Sequence, residues 1–287
     1  MTTIVIHGTQ AHRSAVHATW WWNSWHEGGF LDAVRHGMEQ ASGRHDLWRV
    51  NGVPVSEVPE LAAKRSLWSL SLGSRALAQH NGHFIWAGAA MGIARGAASE
   101  QLAAYLNAIH ELTREPLRII AHSHGCNIVK LASASKKLAP GVHIASAVFL
   151  ACPHFFTPHA IEDYQLPYPL SPQRFGRILN VYSRHDSVQA TLASHLSGQM
   201  FATAIAEMLS PTAFRVDQDP AARHLYENVE LAVAADCSEQ EAHTVMHGAT
   251  IGGPVGAWLD SNCTFTEVLR SHHSGVLPPI PAQDYGA

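Results

Sequence analysis

The segment that most constrains the fold is a strand that ends in a serine and turns directly into a helix. Residues 117–121 form an apolar run typical of a buried strand, and residues 127–138 have the apolar spacing of a helix. Ser123 lies between them, with the small residues Ala121 and Gly125 two positions to either side. A serine at such an apex needs a strained backbone to project its Oγ, and the strand and helix then pass too closely for bulky neighbours. We therefore expect a strand, a sharp turn and a helix centred on Ser123.

Strand-like and helix-like segments alternate along the rest of the chain, which favours a parallel sheet connected by crossover helices. The helical pattern is clearest where Ser99 caps a run with Leu102, Leu106, Ile109 and Leu112 on one face. The other expected helices cover residues 32–42, 191–209 and 255–259. The other expected strands cover residues 2–6, 46–50, 83–88, 143–151, 177–182 and 228–234.

The chain has 287 residues, enough for one large α/β domain with insertions, and it contains no internal repeat. We expect a single domain over residues 1–287, with cap or lid insertions at about residues 12–80 and 152–176. The first insertion opens with four of the eight tryptophans, at positions 20, 21, 22 and 25. These rings either pack beneath the sheet or form an aromatic wall over Ser123 that binds an apolar chain. The second insertion is rich in proline and follows a strand, so it is expected to border the site.

Charge and cysteine usage exclude several classes of protein. The net charge is −4 and no block of like charges occurs, so we expect no nucleic-acid partner. The four cysteines are widely spaced and are expected to be reduced and structural, with a Cys237–Cys263 disulfide as the open alternative. No leader-like segment and no apolar run of membrane-spanning length is present. A cytoplasmic location is therefore expected, with leaderless export as the alternative, and nothing in the sequence sets an oligomeric state.

The 21 histidines raise the question of a metal site. They are scattered, however, and no His-Glu-x-x-His or Cys-x-x-Cys pair occurs. His243 and His247 are spaced to share one helix face, but the glutamate of the metalloprotease pattern is missing between them. We therefore predict no metal and no cofactor.

An acid and a base follow Ser123 in a fixed chain order. Asp186 comes shortly after the strand expected at residues 177–182, and His243 follows the last expected strand. His247, one helical turn beyond His243, is the alternative base. The alternative acids are Asp163, Asp217, Asp219 and Asp236. The order serine, aspartate, histidine differs from the orders found in chymotrypsin-like and subtilisin-like proteins.

These motifs together resemble the α/β-hydrolase superfamily, and within it the bacterial serine esterases and lipases. The matching residues are His7-Gly8-Thr9, the segment 121–125, Asp186 and His243. The sequence departs from the usual pattern at two positions. Ala121 replaces the first glycine around the serine, and Cys126 replaces the second of two glycines that often follow it. The resemblance implies the α/β-hydrolase fold, with a mostly parallel sheet flanked by helices.

The resemblance also implies roles for individual residues. Ser123 would be the nucleophile, His243 the general base and Asp186 the residue that orients it. The backbone amides of Thr9 and His124 would form the oxyanion hole. The further candidates for substrate contact are Gln10, Trp21, Trp22, His122, Phe155 and His247.

The implied substrate is a carboxylic ester, either a small molecule or a lipid. One alternative is a phospholipase that makes transient contact with a membrane surface. The tryptophan-rich start and the segment Phe84-x-Trp86-x-Gly88 give a weaker likeness to lipase effectors exported between bacteria. The alternative from another class is a non-catalytic binding protein built on the same fold.

Overall fold

A computed structural model of the chain describes residues 1–6, 8, 29–42, 49–50, 84, 92–153, 170–183, 186, 221–231, 242–243, 246 and 248–272. The elements in chain order are β1 (Thr2–Ile6), α1 (Phe30–Ser42), β2 (Arg49–Val50), α2 (Gly92–Thr113), β3 (Leu117–His122), α3 (His124–Ala134), β4 (Ile144–Leu150), β5 (Phe175–Tyr182), β6 (Tyr226–Glu230), α4 (Ala249–Asp260) and α5 (Phe265–His272). Short 3₁₀ turns occur at Pro172–Arg174 and Arg223–Leu225.

The strands form one sheet in the order β2-β1-β3-β4-β5-β6, and every neighbouring pair is parallel. The predicted α/β class is therefore confirmed. After β1 the chain moves to β2 on one side and then to β3 on the other, so the strand order reverses between β1 and β3. In open α/β sheets, ligands bind outside the carboxyl ends of the strands at such a switch point. The carboxyl end of β3 is the point at which Ser123 begins the turn.

The sheet is covered by helices on both faces. Alternate strand residues point to opposite sides, so Ile4 and Ile6 of β1 join one apolar cluster while Val5 joins the other. The first cluster contains side chains of α2 and α3, and the second contains side chains of α1, α4 and α5. This double cover explains why the central strands are continuous apolar runs.

Helices α1 and α4 pack with their backbones in close contact. A Cβ on Gly37 would lie 1.9 Å from the carbonyl oxygen of Gly253, and one on Gly256 would lie 1.9 Å from that of Val34. Only glycine fits at these two positions. This contact holds α4, which begins shortly after His243 in the chain, against α1.

Two details predicted for α2 were wrong. The helix begins at Gly92, and the Ser99 hydroxyl donates to the carbonyl of Gly96 within it, so Ser99 is not the N-cap. Leu102, Leu106 and Ile109 are buried as predicted, but Leu112 is 60% exposed. Leu112 lies in the last turn of α2, close to Arg114, where the backbone takes a positive φ and leaves the helix.

Other element boundaries shifted by a few residues. α3 starts directly at His124 and ends at Ala134, β6 covers Tyr226–Glu230, and α4 extends over Ala249–Asp260. α5 was not predicted because its eight residues are too few to show a clear period. Of the strand expected at residues 83–88, only Phe84 is described, and it is not in a strand. The helix expected at residues 191–209 lies outside the described residues.

Three of the four cysteines are described, and all three are free thiols. Cys126 and Cys152 are buried, as expected for structural cysteines, whereas Cys263 is exposed. Cys237, the alternative disulfide partner of Cys263, lies outside the described residues. No helix within the described ranges has both the length and the apolar character needed to cross a membrane.

Candidate active site

Ser123 occupies the strained turn that its sequence neighbours predict. It joins β3 to α3 with φ 53° and ψ −132°, a conformation that side-chain-bearing residues rarely adopt. Its N–H donates to the carbonyl of Leu150 at 2.8 Å, and its carbonyl accepts from the N–H of Cys126 at 3.0 Å. These two bonds tie the turn to the neighbouring strand and to the first turn of the helix, and so hold the strained backbone in place.

Small residues are required around this turn because three backbone segments converge there. A Cβ on Gly8, just beyond β1, would lie 2.8 Å from the Cβ of Ser123 and 3.0 Å from Nδ1 of His122. On the other side, Sγ of Cys126 lies 3.3 Å from the carbonyl oxygen of Ala121. The cysteine at this position therefore contacts β3, the strand that leads into the turn at Ser123 (called the elbow below), while Gly8 itself lies directly against Ser123.

Asp186 and His243 form a buried hydrogen-bonded pair. Nδ1 of His243 lies 2.7 Å from Oδ2 of Asp186, and the two residues are 9% and 1% exposed. An ionised carboxylate only accepts hydrogen bonds, so Nδ1 of His243 carries a proton, and in the neutral form of the ring the lone pair is on Nε2. This tautomer is the one that a general base needs.

The acid–base pair lies beside the elbow. The rings of His243 and His122 are 4.7 Å apart between centroids and inclined by 60°. His243 is also close enough to His124 to help lower the pKa of that histidine. His243 therefore contacts or influences both neighbours of Ser123. The serine follows β3, Asp186 follows β5 and His243 follows β6, so all three belong to the carboxyl edge of one parallel sheet.

His124, directly after the serine, is held away from its charged form. Burial, the positive charge of Arg95 and the proximity of His243 together bring the pKa of His124 well below its ordinary value. Nδ1 of His124 lies 3.2 Å from the side-chain amide nitrogen of Asn127. That nitrogen also donates to the carbonyl of Pro153 at 3.1 Å. Sequence reasoning missed Arg95 and Asn127. The signal in the sequence that could have identified them is a polar residue within an otherwise apolar helical pattern.

The structure brings together Ser123, His122, His124, Asp186 and His243 among the predicted site residues. The remaining predicted residues lie outside the described ranges: Thr9, Gln10, Trp21, Trp22, Phe155 and His247. The alternative acids lie outside them too: Asp163, Asp217, Asp219 and Asp236. Within the described part of the chain, no group of three or more His, Cys, Asp or Glu residues could hold a metal ion.

Comparison with known proteins adds no family to this picture. No family model matches the chain, and no curated protein sequence matches it. Among solved structures, it is similar to an uncharacterized protein from Pseudomonas aeruginosa at 12% identity and a TM-score of 0.23. The alignment covers 94% of this chain and 52% of that protein, so the chain spans about half of its length. A TM-score this low supports no argument about fold or function, and the class established is that of an α/β protein with a parallel sheet.

Proposed function

We propose that this chain is a serine hydrolase with an α/β-hydrolase fold that cleaves carboxylic esters through an acyl-enzyme on Ser123. The observation that carries the proposal is the buried 2.7 Å bond between Asp186 and His243, next to a serine with φ 53°. A strained backbone at Ser123 beside a buried Asp–His pair costs stability, and features of this kind cluster at functional sites. The position of Ser123 at the switch point of the sheet gives further support.

The proposed reaction has two halves. Oγ of Ser123 attacks the ester carbonyl while Nε2 of His243 takes the hydroxyl proton, and a tetrahedral oxyanion forms. The intermediate collapses, the carbon–oxygen bond to the alcohol breaks, and the alcohol leaves with the proton from His243. Water then attacks the acyl-enzyme with His243 again as base, which releases the carboxylic acid and restores the serine.

Asp186 supports both proton transfers. Its carboxylate accepts the Nδ1–H of His243, which fixes the orientation of the ring and stabilises the imidazolium that forms during each half-reaction. Because the Asp186 side chain is fully buried, water screens this interaction little.

The oxyanion is proposed to bind two backbone amides. His124 is the first residue of α3, and the first amides of a helix have no acceptor within the helix. The amide of Thr9 is the proposed second donor. Support for it comes from Gly8, which packs against Ser123 so closely that no side chain would fit.

The first experiment is labelling with a fluorophosphonate, which reacts with activated serines. The wild type should be labelled and Ser123→Ala should not. Ser133→Ala is the matched control, since Ser133 is a buried serine of α3 and its hydroxyl donates to the carbonyl of Lys130. This control should be labelled like the wild type. Labelling of Ser123→Ala at the wild-type level would contradict the proposal.

The base is tested by comparing His243→Ala with His247→Ala in ester hydrolysis. We expect the first variant to lose most activity and the second to keep it. The reverse result would assign the base to His247. Soluble short-chain esters compared with phospholipid vesicles would then identify the substrate class. Failure to turn over any ester, thioester or amide would favour the non-catalytic binding protein.

A further inference from the structure

Asn127 lies in the first turn of α3 and is completely buried. Its amide nitrogen lies 3.1 Å from the carbonyl oxygen of Pro153 and 3.2 Å from Nδ1 of His124. A carbonyl oxygen can only accept, so the contact with Pro153 identifies the NH₂ end of the Asn127 amide. The opposite orientation would set two carbonyl oxygens against each other.

This orientation determines the protonation of His124. An NH₂ group has donors only, so Nδ1 of His124 must be the acceptor in the contact between them. A neutral imidazole that accepts at Nδ1 carries its proton on Nε2. A doubly protonated ring would aim an N–H at the NH₂ group of Asn127, which has no lone pair to offer.

We propose that Asn127 is a positioning residue that keeps His124 neutral and protonated on Nε2 beside Ser123, so that His243 is the histidine that takes up positive charge in the reaction. The inference rests on the proposed hydrolase function. A proton that leaves Ser123 must reside on His243, and a cationic His124 nearby would oppose that charge.

The surroundings of His124 act in the same direction. Burial is the largest cause that lowers its pKa, and the positive charges of Arg95 from α2 and of His243 from the segment after β6 add to it. Asp186 is bonded to His243 and so supports the positive charge there. The two histidines therefore differ in partner. His124 accepts a hydrogen bond from the side-chain amide of Asn127, and His243 donates one to the carboxylate of Asp186.

The test is to measure the ring protonation of His124 directly and then to reverse its partner. Long-range proton–nitrogen NMR spectra of histidine rings, recorded from pH 5 to 8, should show His124 of the wild type neutral with the proton on Nε2. A His124→Gln sample assigns its signals. In Asn127→Asp the carboxylate accepts from Nδ1, so the proton of the neutral His124 ring should move to Nδ1 and the pKa of that ring should rise.

The kinetic readout is the pH profile of kcat/KM for an ester. Asn127→Asp should add a second ionisation to the acidic limb and lower kcat at pH 7 by about 3- to 10-fold. The matched control is Asn107→Asp, because Asn107 also donates to a backbone carbonyl, that of Lys137, at 2.8 Å. The control should change neither the profile nor the ring signals of His124.

A wild-type His124 that is cationic at pH 7, or protonated on Nδ1, would overturn the inference even if Asn127→Asp failed to fold. An Asn127→Asp variant that folds and leaves His124 neutral on Nε2 would also overturn it. Failure of the wild type to label with fluorophosphonate, with the His124 tautomer as proposed, would instead refute the hydrolase function.

Discussion

Buried polar groups lie at both the carboxyl edge and the amino edge of the sheet, where the carboxyl and amino ends of its strands meet, and they differ in purpose. The carboxyl edge holds Ser123 at a positive φ and the Asp186–His243 pair. The amino edge holds an ion pair between Arg118 of β3 and Asp260 of α4, with side chains 3% and 7% exposed. At the carboxyl edge these are the groups that we propose to react with substrate, and at the amino edge the polar groups anchor a helix to the strands.

The anchoring at the amino edge involves each of the last two strands. Arg177 of β5 donates to the carbonyls of Trp258 and Ser261 and lies 4.0 Å from the centre of the Trp258 ring. Glu227 of β6 accepts from the indole N–H of Trp258 at 3.0 Å and from the backbone N–H of Phe265 at 2.5 Å. These contacts fix α4 and α5 on the sheet. Substitutions at this edge should therefore change stability, whereas substitutions at the carboxyl edge should change activity.

The largest expected effect is that of Ser123→Gly. The proposed nucleophile is lost, so kcat should fall by roughly 10⁴- to 10⁶-fold. Glycine adopts a positive φ without strain, so the free energy of unfolding should rise by about 1 kcal/mol. Ester hydrolysis and chemical denaturation measure the two effects.

Ser133→Gly is the control for the change in stability, because Ser133 lies in α3 with ordinary helical geometry. The same substitution there should lower the free energy of unfolding by about 0.5–1 kcal/mol. A Ser123→Gly variant destabilised as much as this control would show that the turn at Ser123 is not strained.

Arg118→Met comes second and acts at the opposite edge. It leaves the buried carboxylate of Asp260 without its cation, which typically costs about 3–5 kcal/mol of stability. Urea denaturation should show this loss, while activity per folded molecule should stay within about twofold because the reacting groups belong to the other edge. Adding Asp260→Leu should recover most of the stability. A large loss of activity with unchanged stability would contradict the division between the edges.

Gly8→Ala is third and tests how closely Gly8 packs against the elbow. The added methyl would lie 2.8 Å from the Cβ of Ser123, so the two segments must separate. A misplacement of this kind should reduce kcat/KM by about 10²-fold. Gly96→Ala is the matched control, since nothing lies within 4 Å of its added methyl, and it should leave activity unchanged. Equal activity of the two variants would remove the support for an oxyanion loop at Gly8.

The smallest effect concerns Glu227, whose pKa is raised mainly by burial. A carboxyl whose pKa is higher in the folded than in the unfolded state stabilises the fold below its unfolded pKa. That contribution is lost as pH rises through its folded pKa. The stability difference between the wild type and Glu227→Gln should therefore favour the wild type more at pH 4 than at pH 8. Denaturation of both proteins at the two pH values measures it, and an opposite trend would show that the carboxyl is stabilised as an anion.

Much of the sheet could be predicted from local pattern. The apolar runs of β1, β3, β4 and β5 were long enough to identify, and alternation with helices gave the parallel arrangement. The limits of α2 could not be read in the same way, because helix ends depend on tertiary contacts as much as on the residues themselves. α5 was missed because its eight residues are too few to show a clear period. The site was also predicted only in part, because some of its contacts join residues that are far apart in the chain. Ser123 lies in a local motif, whereas the orientation of the Asn127 side-chain amide depends on its contact with Pro153 across the fold.

The sequence by itself determined the strained turn at Ser123, because the steric demand for small neighbours acts within a few residues of the chain. It also determined the class of fold, since hydrophobic period is a local property. Only the tertiary structure decided that Asp186 and His243, separated by 57 residues, lie 2.7 Å apart. It also decided that Gly8 meets the elbow and that the side chain of Asn127 bonds to the carbonyl of Pro153. Such contacts depend on which strands are neighbours in the sheet. The hydrophobic period of a strand does not specify those neighbours.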